Sequence, residues 1–64
     1  MMQKLVINKK SNTVSLLTLI GGNWQIVEAY QYTSFYIYKD GITIYFKDDH
    51  EISYPTNLMI TEIL

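Results

Sequence analysis

The densest group of chemically capable side chains in this 64-residue sequence is Asp48-Asp49-His50-Glu51, which holds its only histidine. Three or four such groups meeting at one point would bind a divalent metal, and a His–carboxylate pair is the minimum for acid–base work. The spacing works against both. Successive residues of a strand point to opposite faces, so only a tight loop could gather four neighbours, and no other part of the chain supplies a ligand pattern. A solvated turn is the plainer reading. A hydrolytic triad lacks its scaffold: there is no Cys, no G-x-S-x-G elbow and no phosphate-cradling glycine loop, and Gly21-Gly22 reads as a turn. The sequence therefore assigns no catalytic residue, no cofactor and no metal, and an enzyme is not expected.

The other distinctive residues are aromatic: six Tyr, two Phe and one Trp. Exposed on a sheet, tyrosines make either a protein-binding surface or a platform on which bases of a single strand stack. Charge favours the first. Arg is absent, and Lys9, Lys10, Lys39 and Lys47 are offset by Asp40, Asp48, Asp49 and Glu51, whereas backbone binding draws on several uncompensated cations. The expected partner-binding residues are Tyr36, Tyr38 and Tyr45, with Trp24 as second choice, and the expected partner is a protein. The alternative is a small β-barrel that binds single-stranded nucleic acid through its surface tyrosines, Tyr30 and Tyr32 included, helped by Lys39 and Lys47.

Strands must position these side chains. Val, Ile, Thr, Tyr, Phe and Trp make up 27 of the 64 residues and Ala occurs once, a strong bias to sheet. Turn residues at short, even intervals divide the chain into seven strands: Lys4 to Asn8, Thr13 to Ile20, Trp24 to Tyr30, Ser34 to Lys39, Ile42 to Lys47, Glu51 to Tyr54 and Leu58 to Ile63. Asp40-Gly41 suits a two-residue type I′ turn. It would set Ile37 opposite Ile44, Tyr36 opposite Tyr45 and Phe35 opposite Phe46, with Phe35, Ile37, Ile44 and Phe46 on a core face and Tyr36, Tyr38, Thr43 and Tyr45 on the other. A loop Asp48-Asp49-His50, with His50 left-handed, would set Phe46 opposite Ile52.

A turn at Gly21-Gly22 pairs Leu19 with Trp24, Leu17 with Ile26, Leu16 with Val27 and Val14 with Ala29, leaving both faces apolar. Such a hairpin must be covered twice, by the chain curling round or by a second subunit. A helix over Asn23 to Tyr32 is the local alternative, since Trp24, Val27 and Tyr30 recur every three residues. The nearly uncharged segment from Leu58 to Leu64 either offers a free edge to another chain or pairs with Lys4 to Asn8.

Composition bounds the rest. Apolar residues are 48%, charged residues 17%, the net charge is -1 and the mean hydropathy is +0.03, which is too apolar for disorder. One domain over residues 1–64 is expected. A chain this short buries only about 60% of its unfolded surface, so self-association is expected, as a dimer before larger species. Without Cys, and with neither the roughly 7 to 15 apolar residues of an export signal nor the roughly 20 of a membrane span, a cytoplasmic protein is expected. Abundant Phe, Ile, Lys, Asn, Tyr and Met beside scarce Gly, Ala, Arg and Pro suit an A/T-rich genome, such as that of a low-GC bacterium or its phage or plasmid, and a phage or plasmid accessory factor is the role expected beside protein binding. The alternation resembles that of small barrels, SH3-like ones included. The expected fold is an all-β antiparallel meander or SH3-like partly open barrel of six to seven short strands.

Overall fold

The computed structural model describes residues 2–55 and 60–64, and among these it is all strand and turn. Seven strands follow in order: β1 (Gln3–Asn8), β2 (Thr13–Ile20), β3 (Asn23–Gln31), β4 (Ser34–Tyr38), β5 (Gly41–Tyr45), β6 (Glu51–Pro55) and β7 (Ile60–Ile63). The helical alternative over Asn23 to Tyr32 is thus overturned, because pairing along β2 outweighs a weak three-residue periodicity. Leu58 and Met59, placed at the start of the last strand from the sequence, lie outside the described residues.

The strands form an open two-sheet arrangement rather than a closed barrel. Sheet A has the order β3-β2-β1-β7 and sheet B the order β4-β5-β6. Within sheet A, β7 runs parallel to β1, with Leu5 beside Thr61 and Ile7 beside Ile63, so the last strand spends one edge on its own chain. The core lies where the central strands face each other. Leu5 and Ile7 of β1, Val14 of β2, and Ile42 and Ile44 of β5 are buried together with Tyr32, and Leu16, Phe35, Phe46 and Tyr54 pack round them.

Turn chemistry explains how the chain reaches this arrangement. Asn8 Oδ1 accepts hydrogen bonds from the Lys10 and Ser11 amides (3.0 and 3.3 Å), an Asx turn that hands over to Asn12 at φ 56°. Gly21 and Gly22 both have positive φ, 58° and 82°, as a two-residue type I′ turn demands. Their hairpin has the expected register at Leu19–Trp24 and Leu17–Ile26, but a bulge at Val27 then pairs Leu16 with Glu28 and Val14 with Tyr30. This corrects the expected partners Val27 and Ala29. A bulge inserts one residue and re-aims the side chains beyond it; here it turns Glu28 and Tyr30, instead of Val27 and Ala29, toward the seam between the sheets.

Tyr30 meets Phe46 edge-on at that seam, with ring centroids 5.6 Å apart. Its phenol is held above the ordinary 10.0, first by the neighbouring Glu28 carboxylate, which favours the protonated hydroxyl. Tyr54 is raised as well, chiefly by burial and then by the charge of Glu28. Because the unfolded chain ionises first as the pH climbs, the stability that these neutral phenols contribute is complete below pH 10.0 and is lost above it, through their raised folded values. In a Glu28→Gln variant the Tyr30 phenolate is expected to form at lower pH, nearer 10.0, as read by ultraviolet difference absorbance. An unchanged phenol titration would show that the carboxylate does not hold Tyr30.

Both hairpins of sheet B are displaced from the expected register. The observed partners are Phe35–Ile44, Ile37–Ile42, Tyr36–Thr43 and Tyr38–Gly41, so Lys39-Asp40 makes the turn and Gly41 opens the strand. In the next hairpin Ile44 pairs with Ile52 and Tyr45 with Glu51, and Phe46 N–H donates to the His50 carbonyl (2.8 Å). The loop is therefore Lys47-Asp48-Asp49, and Asp49 rather than His50 takes the left-handed position at φ 60°, which Asp tolerates well. Each loop moves by one residue and each pairing sum by two, so every side chain keeps its face. One core assignment fails: Ile37 is 48% exposed, because β4 is an edge strand with a neighbour on one side only.

Candidate functional site

Alternation along sheet B sends Ile42, Ile44, Ile52 and Tyr54 inward and leaves an outer face built from Ser34, Tyr36 and Tyr38 of β4, Thr43 and Tyr45 of β5, and Glu51 and Ser53 of β6. Tyr36, Tyr38 and Tyr45 are 63%, 43% and 40% exposed. The structure brings together the three tyrosines expected from the sequence. Glu51 is the only charged residue in this set. Lys39 stands in the turn at one end and Lys47 in the loop at the other, both outside the paired strands.

Hydroxyl groups order the face. Thr43, buried although it points outward, is linked to the Tyr38 hydroxyl at 2.9 Å and to the Ser53 hydroxyl at 2.9 Å, which ties the three strands across their width. The Tyr36 and Tyr38 rings stack at 5.9 Å with 27° between planes. A ring fixed by a neighbour and by its own hydroxyl loses little freedom when a ligand covers it, which is why Tyr serves so well in binding surfaces. Sequence alternation found the tyrosines; the Thr43–Ser53 link escaped it, because the expected register set Ser53 opposite Tyr45.

Trp24 is not part of this group. It pairs with Leu19 on β3 and lies on the outer face of sheet A, across the sandwich. Lys4 Nζ sits 4.7 Å from the centre of its ring. Tyr30 and Tyr32 are also removed from a common platform. Tyr32 is a core residue, packed edge-on against Phe35 at 5.5 Å, where the chain crosses from one sheet to the other, and Tyr30 belongs to the seam.

Asp48, Asp49, His50 and Glu51 fall on the β5–β6 loop and the start of β6, all exposed. Among the described residues no three His, Cys, Asp or Glu side chains come together as a metal site, and no helix is long and apolar enough to cross a membrane. A small open cleft of about 250 Å³ lies at the sheet crossing, lined by Ser11, Asn12, Gln31, Tyr32, Thr33 and Lys47. Its lining mixes polar and apolar surface and carries no carboxylate. Comparison with protein families, with curated proteins and with solved structures finds no match.

Proposed function

We propose that this chain is a small non-enzymatic binding module whose ligand is a protein, engaged through Tyr36, Tyr38 and Tyr45. One observation supports this reading above all: a hydroxyl-rich aromatic face on paired strands, with Glu51 as its single charged residue, ordered in advance by the Tyr38–Thr43–Ser53 link. Tyr is enriched where interfaces concentrate their energy, and Ser and Thr hydroxyls beside it supply adaptable hydrogen bonds. We place the module in the cytoplasm as a phage or plasmid accessory factor that works as a homo-oligomer. The same rings could stack bases, but no lysine stands among them, and single-strand binding depends on a cationic groove as much as on aromatics.

The double variant Tyr36→Ser/Tyr45→Ser tests the proposal. Both side chains are exposed, so circular dichroism should show the sheet intact while proteins retained by the immobilised wild type are lost from the variant. Retention of the same proteins by both would sink the reading, and unfolding of the variant would make these tyrosines structural. Co-purifying nucleic acid that leaves at high salt would transfer the rings to the single-strand alternative.

A further inference from the structure

We infer that β4 is an acceptor edge, beside which an extended segment of the partner protein adds to sheet B as a further antiparallel strand. This deepens the binding reading and rests on it, since it names how the partner's chain is held next to the tyrosines.

The direction of the backbone groups follows from one hydrogen bond. Phe46 N–H donates to the His50 carbonyl at 2.8 Å, one step beyond the Tyr45–Glu51 pair. Bonded and non-bonded pairs alternate along an antiparallel ladder, so Ile42 and Ile44 direct their N–H and C=O to β6, and Gly41, Thr43 and Tyr45 turn theirs to β4. The Tyr45 carbonyl agrees, because it accepts from the Thr33 N–H just ahead of β4 at 2.8 Å. The cross-strand partners Ser34, Tyr36 and Tyr38 therefore bond back to β5, and the N–H and C=O of Phe35 and Ile37 point out of the sheet. Among the described residues β5 is the only strand beside β4, and no backbone hydrogen bond from a turn or loop reaches Phe35 or Ile37.

The other three edge strands among the described residues are guarded. β3 has its bulge and Glu28, β6 begins with Glu51 and ends on Pro55, and β7 carries Glu62; bulges, charge and proline are the means by which sheets exclude an extra strand. β4, with the sequence Ser34-Phe35-Tyr36-Ile37-Tyr38, has none of them. Its inward-facing Ile37 is 48% exposed although its partner Ile42 is wholly buried, so the inner side of sheet B is one strand short at this place.

These groups identify the occupant. A line of alternating donors and acceptors at strand spacing is matched by extended polypeptide and not by a nucleic acid or a small molecule. Main-chain bonds then supply affinity and alternate side chains specificity. The incoming strand sets apolar residues over Ile37 and Phe35 on the inner side and its intervening residues beside Tyr36 and Tyr38 on the outer. At about 3.3 Å per residue β4 is about 17 Å long, which suits a segment of roughly five to seven residues.

The probes are three capped peptides in which Thr alternates with Val, Leu or Phe between terminal Lys residues. In the dilute free protein the Phe35 and Ile37 amides should exchange with deuterium quickly and those of Tyr36 and Tyr38 slowly, as read by nuclear magnetic resonance, and peptide should protect the first pair. N-methylation of the peptide's apolar residues, whose N–H groups face β4 in antiparallel pairing, should weaken binding by roughly tenfold or more through the lost bonds; N-methylation of its central Thr should not. Ile37→Pro removes a donor where an edge strand tolerates proline, and should lose the peptide while the circular dichroism stays that of the wild type. Should that variant fail to fold, the methylated peptides decide on the unaltered protein. Tyr36→Ser/Tyr45→Ser should keep the protection at Phe35 and Ile37, because backbone bonds carry it, so the edge and the tyrosine face can fail separately. Four results would overturn the inference: slow exchange at Phe35 and Ile37 in the dilute free protein, no protection by any of the three peptides, equal binding of the two methylated forms, or protection that comes with protein concentration alone, which would give the edge to a second copy.

Discussion

Ile44→Ala is expected to abolish the folded state at room temperature. Ile44 is wholly buried in β5, inside the cluster that joins Leu5, Ile7 and Val14 of sheet A to sheet B. Truncating a buried Ile to Ala costs about 2–5 kcal/mol, through lost transfer energy and the cavity left behind. A core in a chain of this size rarely supplies more than about 3–5 kcal/mol, so the loss matches the whole margin. The check is a urea or thermal transition followed by circular dichroism, with Ile37→Ala as the control. Ile37 is exposed on the edge strand, and its truncation should lower stability by well under half as much. A cooperative transition in Ile44→Ala near the wild-type midpoint would mean that the two sheets are not held together through this residue.

Gly41→Ala carries the second large effect, for a reason the sequence did not disclose. Asp40-Gly41 looks like a turn that needs glycine for positive φ. In the structure neither residue is among those with positive φ. What excludes a side chain at Gly41 is space: a Cβ there would stand 2.7 Å from the Tyr54 carbonyl oxygen and 3.4 Å from the Tyr38 ring. Tyr38 is the cross-strand partner of Gly41, and its ring covers the bare backbone. Relieving the overlap requires backbone movement at the junction of β5 and β6, a loss of about 1–3 kcal/mol by the measure of overpacked sites. Binding should weaken in the same variant, because Tyr38 is pushed from its place beside Thr43. Asp40→Gly, by contrast, should gain no stability. An increase there, or an unaffected Gly41→Ala, would return the glycine to a turn role.

The two effects lie at different depths in the same small sheet. Ile44 decides whether sheet B exists at all, whereas Gly41 decides how its tyrosine face is set. Both stem from β5 having a neighbour on each side: its inward residues meet sheet A, and its outward Thr43 is closed over by hydroxyls from β4 and β6.

Alternation, turn residues and β-branched content were enough to place all seven strands within the described residues, because these are local properties of the chain. They also put Tyr36, Tyr38 and Tyr45 on one face, a result that survives a one-residue error in a loop, since strand faces repeat every two residues and each error moved the pairing by two. Tertiary structure decided what local signals do not encode. The Val27 bulge sends Glu28 and Tyr30 to the seam because their contacts lie on sheet B, far along the chain. Tyr32 becomes core because the chain crosses between sheets there, and Trp24 parts from the other aromatics because β3 and β4 belong to different sheets. The parallel pairing of β7 with β1 joins opposite ends of the chain, where no sequence period reaches. Which residues share a face was therefore legible from spacing, and which faces meet was settled only by long-range packing.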